Sequence, residues 1–359
     1  MMAPKPPSPE HRALPMIYPA PLRPGARIAV TAPSSGVQPA LHARLDLVLA
    51  HLRAQGFEVV EGRCLRDEVA SASAPADERA AELMAFLLRD DIAAIIPPWG
   101  GELAIELLDR LDWPALQGAR PKWVLGYSDT STLMLALTLR LGWATAHGPC
   151  LMDLAPGQND PLTRQAMHAL ATPAGSSLVQ AQSSHWQLKW TDFADVPDVT
   201  YQLTEPTAWQ ALHGQTEVNC SGRLIGGCID TLLHLAGSVY GDVPGFVQAH
   251  RATGTLLYLE NAEQSPTDLV RALHALRWAG WLTGIAGLLL GRSAAADTTA
   301  AHELRYAGAL RSGLAGIACP VLWDVDIGHR PPQMVLFNGA LAQVHWTAAG
   351  GGRIEQQWV

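Results

Sequence analysis

Three side chains that could together serve as nucleophile, acid and base each end a predicted strand or lie in the loop directly after one. Ser128 lies between the strand of residues 123–126 and a helix that begins at Asp129. Glu260 closes the apolar run 256–260, and His329 follows the strand 321–325. A serine hydroxyl is a weak nucleophile at neutral pH, so it needs a base, and that base needs an acid to fix its tautomer. The combination predicts acyl transfer by a nucleophilic serine.

Each of these residues also has an ordinary structural explanation. Ser128 and Asp129 are both good helix N-cap residues. Glu260 could be a cap or turn acid, and His329 is one of thirteen histidines. The chain order serine, acid, histidine also suits an α/β-hydrolase esterase, although Thr130 stands where that nucleophile turn has glycine. An esterase is favoured if one eight-stranded sheet carries all three residues.

The first part of the chain alternates short apolar runs with amphipathic segments. This alternation predicts an α/β fold with a mostly parallel, doubly wound sheet. The predicted strands are residues 27–32, 57–60, 92–96 and 123–126. The predicted helices cover about 41–52, 75–88, a segment that contains Leu103 and Leu111, and the residues from Asp129 onward.

Four segments follow from composition and periodicity. Residues 1–24 are a proline-rich lead-in, expected to be mobile or extended. Residues 25–163 form the N-terminal domain, 164–214 a partly functional connection without regular periodicity, and 215–359 the C-terminal domain. In that last domain we predict strands 222–225, 255–260, 285–290 and 321–325, helices around 230–236, 267–279 and 300–314, and hairpins from Val335 to Val359.

Composition narrows the class of protein. The 359 residues carry a net charge of −8 with no basic run, which argues against nucleic acid or an anionic membrane surface as the main partner. Five scattered cysteines fit reduced thiols. No stretch reaches the roughly 18 apolar residues of a membrane span, and the lead-in resembles no signal peptide. We therefore expect a soluble, cytoplasmic protein. No metal or cofactor is predicted, since His302-Glu303 lacks the second histidine of a zinc motif.

Stretches spread over nearly the whole chain resemble the LD-carboxypeptidase family of serine peptidases, and more specifically its microcin C immunity branch. They are RIAVTAPSSG (27–36), IIPPWGGELAIELLDRLDW (95–113), PKWVLGYSDTSTLMLAL (121–137), HGPCLMDL (147–154), GRLIGGCIDTLLHLAGSVYGD (222–242), LLYLENAEQSP (256–266) and DIGHRPPQMVLFNGALAQV (326–344).

The resemblance implies a Rossmann-like N-terminal domain that carries the nucleophile and a C-terminal α/β, β-barrel-like domain that carries the acid and the histidine. The active site would lie at their junction, and a homodimer is expected. By motif, the triad is Ser128, Glu260 and His329. The backbone amides of Gly101 and Asp129 would form the oxyanion hole.

Two substrate classes are compatible with the resemblance. One is an aminoacyl or peptidyl amide joined to a nucleotide-like group, cleaved for detoxification. The other is the amide of a murein tetrapeptide, cleaved in cell-wall recycling. Trp186 and Trp190 resemble the loop that stacks a nucleobase in the immunity branch, although they could equally pin the loop to a core. Trp99, Gly100 and Asn261 are the remaining candidate substrate contacts.

An alternative hypothesis is that the protein is a non-catalytic nucleotide-binding module. The sequence argues against this hypothesis, because residues 33–36 after the first strand lack the glycine-rich phosphate loop.

Overall fold

The computed structural model describes residues 14–300 and 302–359. In chain order its strands are β1 (Arg27–Val30), β2 (Glu58–Glu61), β3 (Ile92–Ile95), β4 (Trp123–Gly126), β5 (Thr145–His147), β6 (Ser177–Ala181), β7 (His185–Trp186), β8 (Glu205–Pro206), β9 (Gln210–Ala211), β10 (Glu217–Cys228), β11 (Thr255–Glu260), β12 (Gly287–Gly291), β13 (Val321–Val325), β14 (Leu336–Asn338), β15 (Leu341–Thr347) and β16 (Gly351–Gln357).

The α-helices are α1 (His42–Ala54), α2 (Ala76–Leu88), α3 (Trp113–Gln117), α4 (Thr130–Leu141), α5 (Pro161–Leu170), α6 (Ile229–Leu232), α7 (Val243–Ala249), α8 (Pro266–Trp278) and α9 (Tyr306–Gly313). Short 3-10 turns lie at Pro39–Leu41, Ala104–Leu107, Leu151–Asp153 and Leu233–Leu235. In the described part of the chain, none of these helices has the length and apolar character needed to cross a bilayer.

The first sheet has the strand order β14-β5-β4-β3-β1-β2. Strands β1 to β5 run parallel to one another, which confirms the mostly parallel sheet expected for the N-terminal half. Its central strands are apolar and buried, as strands covered on both faces must be. The edge strand β14 comes from the C-terminal half and pairs antiparallel with β5, with Leu336 opposite His147.

The second sheet has eight strands in the order β6-β16-β15-β10-β11-β12-β13-β9. Its centre, β10 to β13, is parallel, and the outer strands are antiparallel. The segments beside its two ends meet, because Gln182 Nε2 donates to the carbonyl of Thr207 at 3.0 Å. The backbone N–H of Thr207 also donates to Ser184. The sheet therefore curls toward closure in a barrel-like manner.

Helix α4 is buried between the two sheets. Residues 133–137 are each at most 2% exposed. They share one hydrophobic cluster with Ile225 of β10 and Leu257 of β11. A helix that is apolar on every face belongs in a protein interior. The start of α4, which follows Ser128, is thus fixed at the junction of the sheets.

Two predicted segment boundaries need correction. The connection 164–214 is not structureless, because it contains most of α5 and contributes β6 and β9 to the second sheet. The predicted boundary after residue 163 falls inside α5, whose start is capped by Asp160 accepting from the N–H of Thr163. Of the proline-rich lead-in, residues 1–13 lie outside the described residues. Residues 14–24 are packed in place, since Trp123 Nε1 donates to the carbonyl of Ala20 at 3.0 Å.

Three predicted elements differ in the structure. The helix expected around Leu103–Leu111 is a 3-10 turn followed by the short α3, which begins at its own cap, Asp112. The helix expected from residue 300 begins at Tyr306, whose backbone N–H donates to the Asp297 side chain at 2.9 Å. At the C-terminus, only β15 and β16 form a hairpin. β14 instead crosses to the first sheet, where Leu336 and Phe337 are buried.

Candidate active site

Ser128 lies on a sharp turn between β4 and α4. β4 ends at Gly126, and α4 begins at Thr130. The backbone of Ser128 has a φ of 58°, a left-handed conformation that costs a non-glycine residue about 1–3 kcal/mol. Strained strand-to-helix turns of this kind hold nucleophilic serines at the carboxyl edge of a sheet. The predicted strand–turn–helix around Ser128 is therefore present.

The buried carboxylate of Asp129 fastens this turn to two other loops. Its Oδ2 accepts hydrogen bonds from Ser34 Oγ at 2.6 Å and from the N–H of Ala104 at 2.7 Å, and Oδ1 accepts from Thr132 Oγ1 at 3.1 Å. Burial raises the pKa of the Asp129 carboxyl, and these hydrogen bonds oppose that rise. An ordinary N-cap is the wrong description of this turn, because no side chain caps the first amides of α4.

The Gly100–Gly101 turn passes directly against Ser128. A Cβ atom on Gly100 would lie 2.6 Å from the Cβ of Ser128, 2.8 Å from its Oγ and 2.7 Å from the backbone N of Asp129. Gly101 has a φ of 132°, where side chains are strained, and a Cβ there would lie 2.4 Å from the hydroxyl of Ser35. Glycine at position 100 therefore leaves a space about 3 Å from both a hydroxyl and a backbone N–H, which is what a reacting atom needs.

Glu260 and His329 form a hydrogen-bonded pair. Glu260 ends β11 and is 1% exposed. His329 Nδ1 lies 2.8 Å from Glu260 Oε2. The approach depends on Gly328, which has a φ of 89° and on which a Cβ would lie 2.3 Å from Oε2. A carboxylate on Nδ1 places the proton there and leaves Nε2 as the basic nitrogen.

The two groups shift each other's pKa in opposite directions. Burial alone would raise the pKa of Glu260, but the charge and the hydrogen bond of His329 hold it well below its usual range. Burial alone would lower the pKa of His329, but the charge and the hydrogen bond of Glu260 raise it above 6.5. Glu260 is therefore ionised at neutral pH, as an acid that orients a histidine must be.

The residues around Ser128 contact those around His329 across the two sheets. The ring of Tyr127, directly before Ser128, meets the His329 ring edge-on with centroids 4.8 Å apart. On the same junction the N–H of Cys228 donates to Ser131 Oγ at 3.1 Å. Ser128 follows a strand of the first sheet, whereas Glu260 ends a strand of the second. The esterase alternative, which requires one eight-stranded sheet under all three residues, is therefore wrong.

The loop that carries His329 is fixed by Arg292. Its Nη1 donates to Asp326 Oδ1 at 2.7 Å, and its Nη2 donates to the carbonyls of Arg330 and Pro332 at 2.9 and 2.8 Å. The carboxylate of Asp326 is fully buried and also accepts from Trp209 Nε1 at 2.9 Å. Both ends of the loop around His329 are thus held by one buried guanidinium.

Sequence reasoning missed two residues beside Glu260. His147 ends β5, is fully buried, and has Nε2 at 3.9 Å from Glu260 Oε1. Cys228 ends β10, and its Sγ lies within 4.8 Å of ligand atoms of both Glu260 and His329. Such a group of Cys, Glu and His atoms could hold a metal ion. The one feature of the sequence that could have indicated His147 and Cys228 is that each ends a strand, as Glu260 does.

The three tryptophans proposed as substrate contacts lie in different surroundings. Trp99 Nε1 donates to the carbonyls of Ser35 and Gly36, both at 3.1 Å, so its polar edge holds a loop. Trp190 is 45% exposed and packs its ring against Phe193 and Tyr201.

Trp186 lies beside two arginines of the loop that carries His329 and of the strand end that holds this loop. The guanidinium carbons of Arg292 and Arg330 each lie 5.9 Å from the centre of its ring, and Arg330 directly follows His329.

Asn261 shapes the loop after Glu260 with all of its side-chain polar groups. Its Nδ2 donates to the carbonyl of Gln264 and to Ser293 Oγ, both at 2.9 Å, and its Oδ1 accepts from the N–H of Gln264 at 3.1 Å. It is 4% exposed. In this structure Asn261 therefore organises the acid's loop, and substrate contact by Asn261 stays a prediction.

A strained serine turn and a buried Glu–His pair, carried by two neighbouring sheets, are the features expected of a serine hydrolase. Family models of the LD-carboxypeptidase N-terminal domain and C-terminal domain match residues 28–148 and 221–344. The chain belongs to the LD-carboxypeptidase family of serine peptidases, peptidase family S66, and it is therefore an amide-cleaving enzyme.

The relatives of the chain include members with different substrates. It is 26% identical to the Escherichia coli microcin C7 self-immunity protein MccF over 291 residues, and this alignment covers 79% of this chain and 80% of MccF. It is 27% identical to the murein tetrapeptide carboxypeptidase of Pseudomonas aeruginosa over 250 residues, and this alignment covers 70% of this chain and 71% of that relative. Among solved structures, MccF in complex with glutamyl sulfamoyl guanosine matches with a TM-score of 0.80 at 22% identity, over 94% of this chain and 98% of that one. This likeness confirms the fold.

Proposed function

We propose that the protein hydrolyses the amide of aminoacyl or peptidyl nucleotide-type compounds with a triad of Ser128, His329 and Glu260. The observation that carries the proposal is the 2.8 Å contact between His329 Nδ1 and Glu260 Oε2. This pair faces the serine turn through the edge-on contact of Tyr127 with His329. A nucleophile, a base and an orienting acid are the minimum for acyl transfer without a cofactor.

The reaction follows from these roles. Ser128 Oγ attacks the scissile carbonyl while His329 Nε2 takes its proton, and Glu260 stabilises the resulting imidazolium. The oxyanion lies in the space beside Gly100, where the backbone N–H groups of Gly101 and Asp129 donate to it. His329 then passes the proton to the leaving nitrogen as the C–N bond breaks. Water, deprotonated by His329, hydrolyses the acyl-enzyme and frees the serine hydroxyl.

The nucleotide-type substrate is favoured by the surroundings of Trp186. An indole stacks on any nucleobase, and the ring of Trp186 lies 5.9 Å from the guanidinium carbon of Arg330, the residue after His329. Arg330 links this ring directly to His329. Among the relatives, MccF confers microcin C7 immunity. The Pseudomonas aeruginosa relative supports a second candidate, a murein tetrapeptide.

The test compares both substrate classes with purified protein. Cleavage of an aminoacyl sulfamoyl adenosine and of murein tetrapeptide is followed by mass spectrometry, and rates are determined for the wild type and for Ser128→Ala. We expect the adenosine compound to be cleaved and the variant to lose on the order of 10⁴-fold or more in kcat. Ser71→Ala is the matched control, because Ser71 also has a left-handed backbone, with a φ of 63°, but is exposed on a separate turn.

Each outcome decides between the candidates. Exclusive cleavage of the tetrapeptide assigns the enzyme to cell-wall recycling. Full activity of Ser128→Ala removes the proposed triad. A cytoplasmic location, expected from the composition, and a homodimer, implied by the family resemblance, stay predictions.

A further inference from the structure

A cluster of three possible metal ligands shares two residues, Glu260 and His329, with the proposed triad. Cys228 Sγ, a carboxylate oxygen of Glu260 and a ring nitrogen of His329 all lie within 4.8 Å of one another. In a tetrahedral zinc site with bonds of about 2.0–2.3 Å, neighbouring ligand atoms lie roughly 3.5 Å apart. The three atoms are therefore within side-chain adjustment of zinc geometry. Thiolate, imidazole and carboxylate are the ligands that zinc prefers in proteins.

Unpartnered polar atoms point to a ligand at this place. Glu260 Oε1 is buried and, among the described residues, has no hydrogen-bond partner. The same holds for both ring nitrogens of His147, whose Nε2 lies 3.9 Å from that oxygen. Buried carboxylate and imidazole atoms without partners are costly, and an unplaced ion or water is a common explanation. Glu260 thus keeps one oxygen free for a ligand while the other binds His329.

The charges at the cluster also favour a dication. Asp230 accepts from Cys228 Sγ at 3.4 Å, so two carboxylates, Asp230 and Glu260, lie beside the thiol. Negative groups that oppose a free thiolate stabilise one that is bound to a cation, because the ion reverses the local balance of charge. His329 is 24% exposed and offers the path by which an ion enters.

We propose that Cys228, Glu260 and His329 form a Zn²⁺ site whose occupation inhibits the enzyme. The thiol gives up its proton to solvent, and the ion takes the place of the Nδ1 proton between His329 and Glu260, so that the remaining proton of the neutral ring lies on Nε2. With three protein ligands, water completes the coordination. Inhibition follows because the bound imidazole can no longer accept the Ser128 proton. The inhibition rests on the proposed triad, but the metal binding does not.

The experiment measures binding and inhibition separately. Metal-free protein is titrated with Co²⁺, and the near-ultraviolet charge-transfer band of a cobalt–thiolate bond is recorded together with the stoichiometry. Zn²⁺ affinity is measured by competition against the bound Co²⁺. Cleavage of the aminoacyl sulfamoyl adenosine is then assayed with Zn²⁺ and after addition of EDTA. The variants are Cys228→Ser and, as a matched control, Cys64→Ser, another buried thiol.

We expect one Co²⁺ per chain with a thiolate band, and at least a tenfold loss of rate with Zn²⁺ that EDTA reverses. Cys228→Ser should lose the band and at least about 100-fold in affinity, since even indirect partners of a metal ligand contribute 10–100-fold. Cys64→Ser should keep the thiolate band and the wild-type affinity. The proposal is overturned if no stoichiometric Co²⁺ binds, or if the band survives in Cys228→Ser. A normal band on protein that cleaves neither substrate would instead refute the proposed function alone.

Discussion

Gly100 approaches Ser128 so closely that a single added carbon would lie 2.6 Å from the serine Cβ and 2.8 Å from its Oγ. The same carbon would lie 2.7 Å from the backbone N of Asp129. Protein interiors are close-packed, so a contact that short forces atoms to move. The side chain missing at position 100 is what keeps open the space in which we place the oxyanion.

Gly100→Ala should therefore inactivate the enzyme without unfolding it. The methyl group would occupy the proposed oxyanion position and displace the backbone N–H of Asp129, so kcat should fall by about 10²–10³-fold, as when a hole donor is lost. Thermal unfolding and steady-state kinetics measure the two effects. Gly118→Ala is the control, because a Cβ there would lie 3.8 Å from the carbonyl O of Ala115, which is an ordinary van der Waals distance. Equal rates for Gly100→Ala and the wild type would exclude an oxyanion at this position.

The pH dependence should report His329. Burial by itself would lower its pKa, but Glu260 raises it above 6.5. In the proposed mechanism only neutral His329 accepts the Ser128 proton, so kcat/KM should decline as the pH falls through that raised value. Glu260→Gln removes the charge that raises the pKa. In this variant the acid limb should move to lower pH, while kcat falls by roughly 10⁴-fold because the tautomer is no longer fixed.

The measurement is a pH–rate profile in buffer that contains a chelator, so that metal binding does not contribute. Glu263→Gln provides the control, since this exposed residue lies in the loop that follows Glu260. An acid limb in the same place for Glu260→Gln and the wild type would show that another group titrates.

The parts of the fold that the sequence predicts are those with local signals. Strands β3 and β4 are continuous apolar runs, and β1 is one from Ile28 onward, which is the sequence pattern of buried parallel strands. Ser128 and Glu260 could be found because each stands where such a run ends. The end of α1 was predictable from Gly56, whose φ of 87° ends the helix.

The remainder depends on contacts between distant segments. Leu336 and Phe337 are as apolar as the hairpin strands beside them, and only the free edge of β5 decides that β14 joins the first sheet. Cys228 and His147 reach Glu260 because two sheets pack around α4, and no local spacing encodes that packing. A search for metal motifs within short windows could not find ligands that lie on three separated segments.

Arg292 should matter for the position of His329 as well as for stability. Arg292→Met keeps the apolar stem but leaves the buried Asp326 carboxylate without its cation, and breaking a buried ion pair costs about 3–5 kcal/mol. The free energy of unfolding in urea should fall by that amount, and kcat should fall because both ends of the His329 loop are released.

Arg271→Met is the control for that substitution. Arg271 forms an exposed ion pair with Asp268, with 76% of its side chain accessible, and exposed pairs contribute about 0–1 kcal/mol. If Arg292→Met unfolds at the same urea concentration as this control, the guanidinium does not hold the loop.

Trp186 and Trp190 should differ in their effect on substrate selectivity. Trp186 lies beside Arg330 and Arg292, whereas Trp190 packs on Phe193 and Tyr201. A base stacked on an aromatic ring contributes about 1–3 kcal/mol, so Trp186→Ala should raise KM for an aminoacyl sulfamoyl adenosine by roughly 10–100-fold. The same aminoacyl group carried as a simple anilide should be cleaved with an unchanged KM, and Trp190→Ala should leave both values near those of the wild type. A similar rise in KM for both substrates would contradict this prediction. It would mean that Trp186 supports the segment of Arg330 and His329, and that the nucleoside is recognised elsewhere.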